Sequence, residues 1–338
     1  MELFVPKDSE SILFKKVFAH SVFKQSLLYY QKVKKETSFT LYAPQLLKSK
    51  IKQTIEDDKD LAKLNINLHN DTGMPKTAKP INLVHDVYGA SWEITSNTDL
   101  TQLRKELKTG ILKNCQTPVA RNINKRISIP ISHVFANGGI SPNSVTFFAL
   151  LLSVAGALLL LSKDGFFFAF ALFQLNSILD GTDGEIAKFN FAFSDFGKKF
   201  DVYGDYFTSF CIIVFTNIAF YIFYDSYWVH FISILSISLL VSIGLIWIAA
   251  ILLKLTPDNF AEVESLCQQR LKSPKSMGDR INKVFLAICQ RDFYIFFLFL
   301  FSLFKWGTAI HVFILLVCFA WLMLTIFTLR ILIQLKKK

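Results

Sequence analysis

The sequence has few charged residues and few cysteines for its length. Charged residues make up 19% of the 338 residues, whereas 52% are hydrophobic; a typical soluble domain has about 25% charged residues. The five cysteines follow no metal-binding or redox spacing. The N-terminus has no continuous apolar stretch of the signal-peptide type. These deficits exclude a purely soluble enzyme, a disordered tail protein and a secreted disulfide scaffold, and we expect the N-terminal region to stay in the cytosol.

The apolar residues are concentrated in long runs after a polar, basic first part. A membrane-spanning helix needs about 20 mainly apolar residues. Six runs meet or approach this length, at 144–162, 165–180, 201–224, 228–253, 293–306 and 307–333. The sequence therefore predicts a mainly α protein, in which residues 116–338 form a six-helix polytopic membrane bundle. Residues 1–115 would form a small cytosolic α/β domain, with strands at 38–42, 64–68, 81–85 and 90–95 and helices at 11–35 and 99–114.

The distribution of Lys and Arg predicts the orientation of the bundle. These residues precede the first run, lie between runs two and three and between runs four and five, and end the chain, whereas the alternate loops hold only Lys163 and Lys305. Because cytoplasmic loops carry the positive excess, both termini should be cytosolic. The net charge of +11 then indicates contact with membrane lipids rather than with nucleic acid.

A basic, partly apolar segment at 117–137 precedes the first run. Such a mixture favours an amphipathic helix lying on the membrane surface over an ordinary basic linker. Pro130 argues against one unbroken helix.

Four aspartates form an acidic cluster where the second run ends and the third begins: Asp180, Asp183, Asp201 and Asp205. The spacings i,i+3 and i,i+4 place each pair on one helix face. Carboxylates inside membrane segments are costly and repel one another unless they are neutralised. Since no Cys or His interrupts the cluster, hard ions such as Mg²⁺ or Mn²⁺ suit it best. The sequence predicts a metal site at the cytosolic side of the bundle.

Three kinds of membrane protein could carry such an acidic cluster. A divalent-cation transporter is the main alternative, although it would ordinarily place its carboxylates nearer the bilayer midplane. An intramembrane prenyltransferase needs a second Asp-rich motif, and nothing after Asp205 supplies one. A catalytically silent membrane anchor would not need four acids.

The acids belong to a longer pattern that resembles a known signature. Asp180-Gly-Thr-Asp183-Gly184-Glu-Ile-Ala187-Lys188, with Gly197, Asp201 and Asp205 after it, resembles the CDP-alcohol phosphotransferase motif D-x2-D-G-x2-A-R-x8-G-x3-D-x3-D. Every spacing agrees, and the one departure is Lys188 in place of Arg. The segment 140–146 (ISPNSVT) also resembles the entry to that family's first span.

The resemblance implies a transfer reaction and a role for each matching residue. Members of the family move a phosphate-linked alcohol from a CDP-alcohol to the hydroxyl of an acceptor alcohol and release CMP. The four aspartates would hold two Mg²⁺ (or Mn²⁺) ions, with Asp205 as the general base. The residues expected to contact the CDP-alcohol are Asn143, Ser144, Val145, Thr146, Gly184, Ala187, Lys188, Ser194 and Gly197.

Arg291 and Asp292 open the fifth run and are candidate acceptor-binding residues, although Arg291 also fits a positive-inside anchor. The resemblance further implies a homodimer and a role in phospholipid biosynthesis. Residues 91–100 and the helix after them resemble, over a short stretch, the closing segment of sugar-nucleotidyltransferase domains. Such a domain precedes the transferase in the inositol-phosphate-coupling subgroup. No Gly-rich nucleotide loop with a basic residue opens the chain, so we expect a reduced, non-catalytic remnant.

Overall fold

The computed structural model describes residues 1–5, 20–32, 34–70, 118–192, 194–252 and 277–336, with short stretches between 75 and 112 and residue 271. The described chain is mostly helical and has a small parallel sheet, which confirms the predicted fold class in outline. Of the predicted helix at 99–114, residues 102, 105, 106, 108, 109, 111 and 112 are described, and they are helical. Residues 11–19 of the one predicted at 11–35 lie outside the described residues.

The internal contacts of the chain divide it into two compact units. The first contains Met1–Cys115, Lys125–Val145 and Gly181–Phe200, and the second contains Gln116–Asn124, Thr146–Asp180 and Asp201–Lys338. Three of the boundaries therefore fall inside helices, directly after Val145, Asp180 and Phe200. The predicted domain limits of 1–115 and 116–338 stay a prediction.

The N-terminal part of the first unit is a parallel sheet with helices. Its elements are β1 (Glu2–Phe4), α1 (Val22–Lys32), β2 (Ser38–Ala43), α2 (Gln45–Asp57), β3 (Asn65–Asn70) and β4 (Lys79–Pro80), and the strand order is β3-β2-β1-β4. A separate antiparallel pair is formed by β5 (Leu83–His85) and β6 (Ser91–Glu93). All ladders of the four-stranded sheet are parallel. Four predicted strands are thus found, with shifted ends.

Period-two burial along β2 anchors the sheet. Phe39, Leu41 and Ala43 are buried, at 1%, 0% and 0% exposure, because alternate side chains of a strand point to one face. The apolar face of α2, with Leu47 and Ile51 one turn apart, packs in the same core.

The first unit also contains helix α3 (Lys125–Asn137), which a short π-helical turn, Ala120–Asn124, precedes. Helix α3 matches most of the predicted amphipathic segment. Pro130 lies inside it, so the proline does not end the helix as expected. Ser128, Ile129, Ser132 and Ala136 form its buried stripe.

Long apolar helices make up most of the second unit. They are α4 (Pro142–Leu160), α5 (Phe166–Phe189), α6 (Asp195–Phe223), α7 (Tyr227–Leu252), α8 (Met277–Cys289), α9 (Arg291–Leu303) and α10 (Gly307–Lys336). Of the described helices, α4, α6, α7 and α10 are long and apolar enough to cross a membrane. Helices α8 and α9 pass the same test only as a pair, which is bent by 62°. Among the described residues the count is four spans, or five if the bent pair is one span, against the six predicted.

Helix α5 matches the second predicted span but is not among these candidates. Its first eight residues, 166–173, are apolar, whereas the rest of the helix carries buried polar residues such as Gln174 and Asn176. Asn176 donates a hydrogen bond to the Ala149 carbonyl, 2.7 Å away. Ser153 and Thr208 share a buried hydrogen bond of 2.9 Å between α4 and α6. Polar contacts therefore fix α5 and α6 against α4, where an apolar membrane solvent offers no competing partner.

A second polar contact lies among α6, α7 and α10. His311, 2% exposed, forms a hydrogen bond of 2.9 Å with Ser233. Its ring stacks on Phe220 with centroids 4.4 Å apart. The surrounding core is built from buried Phe, Ile, Leu and Val side chains.

Candidate metal and phosphotransfer site

The acidic cluster lies on two consecutive helices. Asp180 and Asp183 occupy adjacent turns near the end of α5, and Asp201 and Asp205 occupy adjacent turns near the start of α6. One carboxylate oxygen of each of Asp180, Asp183 and Asp201 lies within 4.8 Å of the other two. Asp183 is 5% exposed. Three close carboxylate oxygens are a donor set that suits a hard divalent cation, so these residues fit the predicted metal.

Asp205 is engaged by a cation of the chain itself. The Arg291 guanidinium donates one hydrogen bond to the Asp205 carboxylate and another to Asp180. The Arg291 side chain is 17% exposed, against 42% for Asp205. A planar guanidinium bridges two carboxylates well because its N–H groups diverge in a fixed fork. Arg291 thus neutralises part of the acidic cluster, and the structure brings this predicted acceptor-binding residue to the aspartates.

A hydrogen-bonded chain fixes Arg291 and Asp205 relative to each other. The Ser209 hydroxyl donates to the Asp205 backbone carbonyl at 2.8 Å and shares a 2.7 Å hydrogen bond with the Tyr294 hydroxyl. Tyr294 is 1% exposed and lies one turn after Arg291 on α9. The polar end of a buried tyrosine needs such a partner. This contact holds the start of α9 against α6.

The first unit contains a buried ion pair on α5, directly beside the acids. Glu185 is 0% exposed and accepts a hydrogen bond from Lys125 at 2.7 Å. Ser128 donates to the same carboxylate oxygen at 2.7 Å, and Ser132 donates to the other. Lys125 also donates to the Gly181 carbonyl at 3.2 Å. We define these four side chains (Lys125, Ser128, Ser132 and Glu185) as the Glu185 clamp, which fastens α3 to α5.

The Glu185 clamp was not predicted from the sequence. The signature is recognised by its four aspartates, and Glu185 occupies one of its variable positions. The sequence contains one indication of the clamp, the charge of Glu185, because an acidic residue within an apolar helix needs a partner. The clamp also explains Gly181, since a Cβ there would lie 3.0 Å from the Lys125 amine.

The residues expected to contact the CDP-alcohol are placed differently from one another. The Ser194 hydroxyl accepts the Gly197 N–H at 2.9 Å, and a Cβ at Gly197 would lie 3.0 Å from the Asn143 amide oxygen. Gly197 therefore permits a close approach between α6 and the start of α4. A Cβ at Gly184, in contrast, would meet no described atom within 4 Å.

The other predicted contacts differ in exposure. Val145 and Thr146 are buried, at 4% and 5% exposure. The hydroxyl of Ser144 shares a 2.7 Å hydrogen bond with that of Ser141. Ala187 and Lys188 are partly buried. The roles of all these residues as substrate contacts stay predictions.

The connection between α5 and α6 is anchored by Phe191. This residue is 1% exposed and belongs to the apolar core of the N-terminal sheet and helices. Its φ of 47° is in the left-handed region, which is unfavourable for a bulky residue. Such a conformation costs about 1–3 kcal/mol and persists only where surrounding contacts hold it. Burial of the aromatic ring offsets a cost of this size.

Ionisable groups of the N-terminal part surround the start of α1. Burial alone would lower the pKa of Lys24, but its hydrogen bonds to Asp58 (2.8 Å) and Asp60 (2.9 Å) raise it. Burial, with the Lys24 charge as a smaller cause, lowers the pKa of His20 to about 4. The His20 ring also forms a hydrogen bond with the backbone of Asn190. His20 is thus neutral at pH 7.

Comparisons with known proteins agree with the signature. A family model described as CDP-alcohol phosphatidyltransferase matches residues 139–335. Among curated proteins, the chain is 32% identical over 117 residues to a protein of Thermococcus kodakarensis and 29% identical over 130 residues to one of Aquifex aeolicus. Both are described as "Bifunctional IPC transferase and DIPP synthase".

The likeness to these relatives covers part of each protein. The matched residues are 34% and 38% of this chain and 26% and 30% of the respective relatives. A third relative so described, from Archaeoglobus fulgidus, is 31% identical over 132 residues, which are 38% of this chain and 26% of its own. The chain thus spans less than a third of the length of these relatives.

Proposed function

Because the chain belongs to the CDP-alcohol phosphatidyltransferase family, we propose that it transfers a substituted phosphate group from a CDP-alcohol to the hydroxyl of an acceptor alcohol. The bond between the alcohol-bearing phosphorus and the bridging oxygen breaks, and CMP leaves with the electron pair. The acceptor oxygen forms the new bond to phosphorus and gives up its proton. The observation that carries the proposal is the cluster of Asp180, Asp183 and Asp201 oxygens within 4.8 Å, in a signature whose every spacing matches.

In this proposal the aspartates hold two divalent cations, Mg²⁺ or Mn²⁺. Asp180, Asp183 and Asp201 supply oxygens, and Asp205 completes the set. Bound there, such ions neutralise the pyrophosphate and the departing CMP. The described cluster contains no sulfur or imidazole donor, as hard cations prefer.

Asp205 is the proposed general base. It lies one turn after Asp201 on α6, and 42% of its side chain is exposed, so an acceptor hydroxyl can reach it. Arg291 bonds its carboxylate in this structure. An anionic acceptor group would compete for the guanidinium, and the carboxylate would then be free to take the proton. Arg291, with Asp292 beside it, is therefore proposed to bind the acceptor.

The proposed donor contacts follow the placement of the glycines. Open space beside Gly184 leaves room for the cytidine or its pyrophosphate. Asn143, Ser194 and Gly197 lie together at the start of α6 and would contact the same molecule. Lys188 offers a point charge to a phosphate where a guanidinium would offer two parallel bonds.

The membrane arrangement is proposed from charge and length. Asp180 lies 14 residues after Phe166, the start of α5, which corresponds to about 21 Å along a helix. The aspartates would therefore lie toward one membrane face, and the Lys and Arg distribution makes that face cytosolic. We further propose that both termini are cytosolic, that the protein is a homodimer in phospholipid biosynthesis, and that residues 1–115 are a nucleotidyltransferase-like remnant.

A CMP-release assay tests the reaction. Purified protein with Mg²⁺ is given a panel of CDP-linked donors and hydroxyl acceptors. We expect CMP to form only with a suitable pair and only with the divalent cation. Asp205→Asn should lower kcat by at least about 100-fold, as expected for a general base. Asp164→Asn, which changes an exposed acid in the α4–α5 link, is the matched control and should keep full activity.

The competing cation-transporter hypothesis predicts a different outcome. Vesicles that contain the protein would take up Mn²⁺ without any CDP-alcohol, and no CMP would be released with any donor. That pair of results would overturn the transferase proposal. Full turnover by Asp205→Asn would overturn only the assignment of the base.

A further inference from the structure

The N-terminal part of the chain contacts the connection between α5 and α6, which is described at residues 190–192 and 194 and separates the two pairs of aspartates. Phe191 in this connection shares an apolar core with Leu3, Phe23 and Phe39. Its ring meets the Tyr29 ring edge-on, with centroids 6.1 Å apart. The neighbouring Asn190 backbone forms a hydrogen bond with His20. Tyr29 of α1 and His20, in the segment before α1, thus hold two consecutive residues of the connection.

The other end of the same connection carries proposed donor contacts. Ser194 accepts the Gly197 N–H at 2.9 Å, and the Asn143 amide oxygen lies 3.0 Å from where a Gly197 Cβ would be. Ser194 is the third residue after Phe191, so their Cα atoms can be at most about 11 Å apart. The position of Phe191 therefore limits where Ser194 can lie.

The backbone at Phe191 needs outside support. A φ of 47° is unfavourable for phenylalanine, so a connection without the aromatic core around Phe191 would relax to another conformation. The contact with the N-terminal core is what holds it.

On the premise of the proposed transferase function, we propose that the N-terminal domain acts as a scaffold that positions the α5–α6 connection for the CDP-linked donor, with Phe191 as its anchor. The domain would then contribute to donor binding without a nucleotide site of its own. Phe191 and Tyr29 are positioning residues in this scheme.

Kinetics of single variants test the scaffold. Phe191→Ala and Tyr29→Ala should each raise the KM for the CDP-linked donor about tenfold, because the donor would have to order the connection itself. The kcat should change less than about twofold, since the groups at the reacting phosphorus are untouched. Tyr29→Ala is decisive because it leaves the sequence of the connection unchanged. Phe191→Leu, which keeps an apolar anchor, should restore part of the affinity.

Two further variants separate the anchor from other effects. Phe39→Ala removes a ring as buried as that of Phe191 from the same core, whereas the ring that meets Phe191 edge-on is that of Tyr29. It should lower thermal stability as much as Tyr29→Ala does and leave the donor KM unchanged. Phe191→Gly relieves the backbone conformation but removes the ring, and it should bind donor as poorly as Phe191→Ala.

Amide hydrogen exchange of residues 189–200 provides a readout that does not depend on turnover. Exchange should accelerate in Tyr29→Ala and stay at the wild-type rate in Phe39→Ala. Unchanged exchange in Tyr29→Ala, an equal rise of donor KM in Phe39→Ala, or a wild-type KM in Phe191→Gly would each overturn the scaffold. A wild-type protein that releases no CMP would instead overturn the proposed function, and the exchange result would still decide the scaffold.

Discussion

Removal of the Glu185 carboxylate should destabilise the protein strongly, because three side chains donate hydrogen bonds to it. The perturbation is Glu185→Ala. Lys125, Ser128 and Ser132 all donate to this carboxylate, and Ser128 and Ser132 are 0% exposed. The variant leaves these donors without their shared acceptor.

The magnitude follows from the individual contacts. A hydrogen bond to a charged group contributes about 1.5–3 kcal/mol, so three such bonds set an upper bound of about 5–9 kcal/mol. Two features reduce the loss. The Lys125 side chain is 18% exposed and still has the Gly181 carbonyl, and Ser132 also donates to the Ser128 carbonyl at 2.7 Å. We therefore expect Glu185→Ala to lower the free energy of unfolding by about 3–5 kcal/mol, the usual cost of breaking a buried pair.

The double variant Lys125→Met/Glu185→Met sharpens the prediction. Replacement of both partners by apolar residues leaves no uncompensated buried charge. The double variant should therefore be less destabilised than Glu185→Ala alone, by at least about 2 kcal/mol. Urea unfolding in a mild detergent, followed by intrinsic fluorescence, measures both values.

Ser153→Ala is the control for this experiment. It removes a neutral buried hydrogen bond of 2.9 Å to Thr208 and a longer one of 3.4 Å to the Ala149 carbonyl, and should cost about 1 kcal/mol. The reasoning about the clamp would be refuted if the effects of Lys125→Met and Glu185→Met on the free energy of unfolding were additive in the double variant. It would also be refuted if Glu185→Ala cost no more than Ser153→Ala.

Two remaining predictions concern the α5–α6 connection and the N-terminal unit. Gly197→Ala places a methyl group 2.9 Å from Ser194 Oγ and 3.0 Å from Asn143 Oδ1, so the donor KM should rise about tenfold. The control is Gly244→Ala, whose Cβ meets no described atom within 4 Å. This control should leave the donor KM unchanged. The folded pKa of His20, about 4, lies below its ordinary value of 6.5, so only the unfolded chain takes up this proton as the pH falls between those values, and stability falls with it. His20→Gln should remove this loss in thermal unfolding measured between pH 7 and pH 5, and an unchanged pH dependence would contradict it.

The elements that were predicted correctly have a local, repeated pattern. Strands β2 and β3 and the apolar helices α4, α6, α7 and α10 were located from composition and period alone. The sequence pattern did not predict the elements whose formation depends on strand pairing or whose apolar pattern is broken by charged residues. β1 has only three residues and forms because it pairs with β2 and β4. Helix α8 lies between the fourth and fifth apolar runs, and the charges of Asp279, Arg280 and Lys283 keep it from forming an apolar run of its own.

The candidate site was predicted as far as its signature extends. The spacing of the aspartates predicted that they share helix faces, and the structure groups three of them. The contact of Arg291 with Asp205 could not be derived, because 86 residues separate them and no local pattern records the approach. The position of Phe191 could not be derived either, because nothing in the sequence around it predicts burial in the N-terminal core.

Gly184 is a glycine inside helix α5 that no close contact within the described chain explains. A glycine within a helix costs about 1 kcal/mol relative to alanine, and the space beside this one borders no described atom within 4 Å. Gly181, by contrast, makes way for the Lys125 amine. In the proposed reaction the space beside Gly184 would receive part of the CDP-linked donor, so we expect Gly184→Ala to leave the fold intact and to weaken donor binding.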